Sequence, residues 1–174
     1  MAIGQSRPTR EPAEGIAPNG LPRESVWDYP RPPEIRPEPR TVTVTFGGAE
    51  IARSERAVKV CETAGPPVVY LRPDDVDHEA LVPAQGETFC EWKGSASYYD
   101  VIAPEQVAER AAWAYRSPTG AFSPIRDWIA FYPARVECRL GGERVGPQPG
   151  EFYGGWVTAE ITGPFKGGPD SLGW

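Results

Sequence analysis

Two decapeptides with one pattern constrain the fold most: VTVTFGGAEI at Val42–Ile51 and VECRLGGERV at Val136–Val145. Each alternates apolar and polar residues, reaches a Gly-Gly pair and resumes. Alternation of period two describes a strand with one buried face, and the glycine pair supplies the positive φ of a tight hairpin turn. Two such hairpins suggest related positions in a sheet, although ten residues do not establish a duplication. Glycine and proline together occupy 40 of 174 positions, which favours short elements and many turns over a helical bundle. Nineteen aromatic residues supply the apolar mass of a single core. The expected fold is mainly β: one compact domain of antiparallel strands and hairpins.

Along the chain, Met1–Arg40 carries nine prolines and only two aromatics, Trp27 and Tyr29. We therefore expect a Pro-rich, partly flexible arm over 1–26 and a single domain over 27–174. Further strands are expected at Ala57–Cys61, Val68–Leu71, Thr88–Cys90 and Ala96–Ile102. Pro73–Glu79 suits a one-turn helix, in which the lone histidine, His78, sits among carboxylates facing solvent. The best helix is Pro104–Trp113, ending by Tyr115, with Pro104 at its start and Val107, Ala111 and Ala114 on one side. Ile125–Tyr132 reads as a buried central strand. Gly146–Trp174 holds Phe152, Tyr153, Trp156, Ile161, Phe165 and Trp174, too many large apolar groups for a free tail, and is expected to wrap the domain in order.

The formal charge of −6, from 18 basic and 24 acidic side chains, gives no electrostatic reason to bind nucleic acid or an anionic membrane. It does not forbid a local basic pocket. No run is long and apolar enough for a membrane span, and no secretory pattern opens the chain, so the cytoplasm is the expected location. Three isolated cysteines and one histidine make no zinc spacing or CxxC pair. Neither a metal nor a cofactor is expected.

Chemistry concentrates in Thr88–Tyr99, TFCEWKGSASYY, where a thiol, an acid, an amine and four aromatics fall within twelve residues. An extended backbone places Cys90 and Trp92 on one face, Glu91 and Lys93 on the other. Cys90 is a thiolate nucleophile in a pocket or an inert core thiol. Glu62, held before Gly65-Pro66-Pro67, and Glu91 are candidate acid–base groups. Lys93 and Arg56 are candidate clamps for an anion, Arg126 another, and Tyr70, Tyr99 and Trp113 candidate stacking surfaces, although aromatics more often build core. The expectation is a pocket for an anionic small molecule, with or without catalysis. The alternative is a structural or protein-interaction domain in which Lys93 and Glu62 form a buried salt bridge. A homodimer through a sheet edge or the aromatic wrap is compatible with either.

These segments carry a resemblance. ARSERAVKVCET, PPVVYLRPDDV, TFCEWKGSASYYDV, AAWAYRSP, IRDWIAFYPARV and GERVGPQPGEFYGGWVTAEITGPFKG are similar to the domain of unknown function 427 family, over about residues 27–168. Its C-x-x-K-G and A-x-Y pattern falls on Cys90, Lys93, Gly94, Ala96 and Tyr98. Its upstream Glu falls on Glu62, its Pro-Pro and Tyr on Pro66, Pro67 and Tyr70, and its W-x-Y on Trp113 and Tyr115. The resemblance implies a mostly antiparallel β domain with a small helical element, and assigns no activity. The nucleotidyltransferase-like label sometimes attached to the family finds no GS-x-D-x-D pattern in this chain.

Overall fold

A computed structural model describes residues Arg7–Trp174; the first six residues of the expected arm lie outside the described residues. In chain order the strands are β1 (Glu24–Ser25), β2 (Glu34–Glu38), β3 (Val42–Phe46), β4 (Ala49–Ser54), β5 (Ala57–Cys61), β6 (Val68–Tyr70), β7 (Leu81–Cys90), β8 (Gly94–Ala103), β9 (Gln106–Tyr115), β10 (Ala130–Phe131), β11 (Glu137–Leu140), β12 (Glu143–Arg144), β13 (Gly146–Pro147), β14 (Trp156–Val157) and β15 (Ile161–Thr162). Every helical segment among the described residues is a short 3-10 turn. None is long and apolar enough to cross a membrane.

The two patterned hairpins meet in one sheet. Its order is β12–β11–β3–β4, so the hairpins join along the antiparallel β3–β11 seam. There Val44 faces Cys138 and Val42 faces Leu140, all four buried. A second sheet, β10–β9–β8–β7, packs through β8 against β3, and a third, β2–β5–β6, completes the body. Leu71 and Ile129 exchange both backbone hydrogen bonds at 2.8 Å, tying the end of β6 to the approach of β10.

The strongest departure from expectation is β9. The segment expected to be helical, Pro104–Trp113, is instead a two-residue turn followed by a ten-residue strand. Pro104 and Glu105 form the turn between Ala103 and Gln106, with Glu105 at φ +61°. Beyond it, alternation divides the strand between two clusters. Ala112 and Ala114 enter the main core with Val42, Leu71, Val101 and Trp156. Trp113 and Tyr115 enter a second cluster with Tyr70, Tyr98, Phe122 and Tyr132. The alanines spaced i, i+3 resembled a helical stripe, but their smallness serves the close packing of two sheets. The one-turn helix at Pro73–Glu79 is two 3-10 turns, Pro73–Asp75 and His78–Ala80. Ile125–Tyr132 is buried around a two-residue strand, β10, that stands at the end of its sheet rather than the middle.

The C-terminal segment is ordered along the body. Trp156 is 1% exposed, donates its indole N–H to the Phe131 carbonyl at 3.0 Å and its backbone N–H to Pro67 at 2.8 Å. From Arg7 the N-terminal segment runs beside it. Glu11 and Gly163 are joined by two hydrogen bonds of 2.9 Å, and β1 pairs in parallel with β15.

Candidate functional site

The second aromatic cluster borders a cavity of about 450 Å³. Its floor follows from strand register. Tyr98 pairs with Trp113 and Ala96 with Tyr115, which places three large rings side by side on one face of β8 and β9. Tyr70 rises from β6 to meet them, 6.3 Å from Trp113 edge-on and 6.4 Å from Tyr115. Trp113 donates its indole N–H to the Tyr70 hydroxyl at 3.4 Å, and Tyr98 shares a 2.7 Å hydrogen bond with Thr88. Burial raises the Tyr70 and Tyr115 hydroxyls far above the ordinary tyrosine range, so both remain neutral.

CEWKG caps one end. Cys90 and Gly94 are the last pair of the β7–β8 hairpin, and Glu91–Lys93 is its three-residue loop. The strand alternation expected to separate Cys90 and Trp92 from Glu91 and Lys93 therefore does not apply. Gly94 closes the loop at φ +100°, in the left-handed region that favours glycine. The loop is fastened from outside by Thr119, whose N–H donates to the Lys93 carbonyl at 3.2 Å and whose hydroxyl donates to the Trp92 carbonyl. So held, Lys93 is only 9% exposed. Its ammonium lies 5.7 Å from the centre of the Tyr115 ring and 5.9 Å from that of Phe122. Among the described residues it forms no ion pair.

Six of the nine sequence candidates line this cavity: Cys90, Glu62, Glu91, Lys93, Tyr70 and Trp113. Cys90 is half-buried. The other three lie elsewhere. Arg56 is a surface residue forked onto Asp75 at 2.9 and 3.1 Å. Tyr99 points to the opposite face of β8 from Tyr98 and accepts from Arg116 at 3.0 Å. Arg126 is exposed after the Gly120–Ile125 turn. His78 hydrogen-bonds the Pro73 carbonyl at 2.7 Å and borders a shallow depression with Tyr99, so Cys90 has no histidine beside it.

The Lys93–Glu62 bridge of the alternative, structural reading does not form among the described residues. Glu62 faces Lys166, with 3.9 Å between carboxylate and ammonium. Lys166 comes from the C-terminal segment, escaped the sequence reading and is the main addition to the site, with Arg31, Tyr115 and Gln148. Its backbone is fixed at both ends: its N–H donates to Ala64 and its carbonyl accepts from the buried Gln148 amide, each at 2.8 Å. The ammonium sits 4.8 Å from the centre of the Tyr153 ring. Burial lowers the Lys166 pKa below the ordinary lysine value; Glu62 opposes this, and nearby Arg31 and Lys93 reinforce it. Among the described residues no cluster of three His, Cys, Asp or Glu could hold a metal ion.

The chemistry assembled is thus three cations, Arg31, Lys93 and Lys166, with two carboxylates and a thiol around a floor of aromatic rings. No curated protein matches the chain. A family model described as domain of unknown function (DUF427) matches residues 34–141, which covers Glu62, Tyr70, Cys90, Lys93 and Trp113 and stops short of Gln148 and Lys166. With more than half of its length matched, the chain belongs to the DUF427 family.

Proposed function

We propose that the cleft binds a small anionic molecule with a planar apolar portion. Lys93 is the observation that carries this reading. The residue keeps little of its surface in water and turns its ammonium to the cavity, with no counter-charge beside it among the described residues. Two aromatic faces offset only part of the cost of that partial burial. The chain nevertheless holds Lys93 in place with a glycine turn and the clasp from Thr119. A carboxylate or phosphate entering the cavity would complete the pairing, while the Tyr98, Trp113 and Tyr115 rings would receive the apolar part.

Benzoate, phenylacetate and phenyl phosphate are suitable probes, read by the melting temperature. A ligand at a hundred times its Kd should stabilise the fold by about 2.7 kcal/mol. We expect at least one probe to raise the melting temperature of the wild type and K93M to lose that rise while still melting cooperatively. Equal response of K93M, or no response to any probe, would reject the reading.

One observation favours a second reading, a protein-interaction domain. Phe89 and Phe152, 73% and 57% exposed, both border the cavity and form an apolar rim suited to a second copy of the chain. In that case F89S and F152S would change the sedimentation behaviour and the small anions would have no effect.

A further inference from the structure

The chain contains three lysines, Lys59, Lys93 and Lys166, against fifteen arginines. Arginine supplies most of its surface ion pairs, such as Arg10–Asp28, Arg53–Glu50 and Arg56–Asp75. All three lysines are withdrawn from solvent: Lys93 is 9% exposed, and the Lys166 and Lys59 side chains 13% and 16%. Two of the three border the same cavity. The two residues differ chemically in that guanidinium stays protonated, whereas an amine can lose its proton and become a nucleophile.

Lys166 is placed for that use. Its stem lies against Gly65, where a side chain would meet Cε at 3.6 Å, and its backbone is pinned by Ala64 and Gln148. Gly167, at φ +126°, lets this loop pass so near Pro149 that an added Cβ would stand 1.9 Å from the Pro149 carbonyl oxygen. The Glu62 carboxylate stands 3.9 Å from the ammonium, beyond a direct hydrogen bond, so that a side-chain rotation or one bridging water would complete a proton path between them. Desolvation, with Arg31 and Lys93 nearby, favours the free amine, the arrangement that activates imine-forming lysines in general.

We propose that Lys166 is a reactive amine that condenses with the carbonyl carbon of an aromatic oxo acid held in the cleft, with Glu62 relaying the proton. The proposal rests on the anion-binding reading: the acid group meets Lys93, the ring lies on the aromatic floor, and the carbonyl reaches Lys166. The neutral amine adds its electron pair to the carbonyl carbon, and the C=O π electrons move to oxygen. Glu62 accepts a proton from nitrogen and returns it to oxygen. The nitrogen lone pair of the carbinolamine then expels the hydroxyl, which leaves as water with the remaining N–H proton, as C=N forms. Amine and carbonyl become imine and water, with no change of oxidation state.

Phenylpyruvate with sodium cyanoborohydride tests this on the full chain near neutral pH, since hydride reduction converts the imine into a stable secondary amine. We expect a single adduct by intact mass, mapped by peptide sequencing to Lys166. It should be absent in K166R, unchanged in K59R and formed at least tenfold more slowly in E62Q. Phenylpyruvate without reductant should raise the melting temperature of the wild type. Binding without an adduct, or an adduct shared equally with Lys59, Lys93 or the N-terminal amine, overturns the reactive-amine proposal and leaves anion binding standing. No binding by phenylpyruvate or by the simple anions overturns both. Mapping on the wild type decides the matter even if K166R fails to fold.

Discussion

Gly154 shows how little room a single residue has beside the cleft. A Cβ built there would lie 2.2 Å from the Trp113 ring and 3.2 Å from Tyr132. Neither ring can yield easily, because Trp113 and Tyr132 already lie tilted against each other with centres 4.5 Å apart and the Tyr132 hydroxyl donates to the Phe152 carbonyl at 2.9 Å. G154A should therefore destabilise the fold by about 3 kcal/mol, the upper end of overpacking, read as a lower urea midpoint. G120A, where nothing stands within 4 Å, is the matched control and should change stability far less. A cost for G154A no larger than for G120A would mean that Trp113 does not form this wall. At this scale the sequence was partly legible. The residue types of CEWKG announced a polar site, and Glu62, Cys90 and Lys93 do border one cavity. Arg56 and Tyr99 were misplaced because neither the partner of an arginine nor the face of a tyrosine pair is set by residue type. Lys166 was hidden for a different reason: it reaches Glu62 across 104 positions of chain through a loop with no strand periodicity.

Among elements, β7, β8 and β9 carry the site, and each has an irregularity that aims it. The β7–β8 register shifts between Pro83 and Glu87, and the β8–β9 register between Tyr99 and Val101. One arginine joins the two irregularities. The Arg110 backbone N–H donates to the Asp100 carboxylate at 2.8 Å, and its guanidinium crosses the Tyr98 ring at 4.2 Å to reach the Gln85 carbonyl at 2.5 Å. Arg110 itself sits at φ +48°, a conformation that Asp100 helps to hold. D100A should cost about 1–2 kcal/mol by removing a charged acceptor, whereas D100N, which keeps a carbonyl oxygen, should cost less. Equal urea midpoints for wild type and D100A would sink this account. The bulges also explain why β9 was unreadable as a strand. Its first half is exposed and interrupted, so alternation is clean only from Ala112 onward, where small and large residues separate between two clusters. The hairpins around Gly47-Gly48 and Gly141-Gly142 were legible because pattern and turn agree locally.

For the molecule as a whole, burial of neutral acids sets a pH limit. Burial pushes the Cys61 thiol up to about 11, against the opposing influence of Arg36 and Lys59. It also raises Cys138 and the hydroxyls of Tyr29, Tyr70, Tyr115 and Tyr132. In the unfolded chain thiols ionise near ~8.5 and phenols near ~10. Above those values the unfolded state sheds protons that the folded state retains, so each group contributes stability that is full below its unfolded pKa and is lost as pH rises toward its folded one. These groups are distributed over all three buried clusters, so their ionisation should be coupled to global unfolding rather than to local fraying. The urea midpoint should hold nearly level to about pH 8, decline from about pH 9 as the thiols come into play, and fall more steeply past about pH 10 as the phenols join them. The tyrosinate absorbance contributed by Tyr29, Tyr70, Tyr115 and Tyr132 should then appear as a cooperative step that coincides with loss of the near-ultraviolet circular dichroism of the packed tryptophans. A smooth titration of these four phenols near pH ~10 with that signal intact would show that they reach water in the folded state, and the burial of Tyr70 and Tyr115 beside the cleft would have to be abandoned with it.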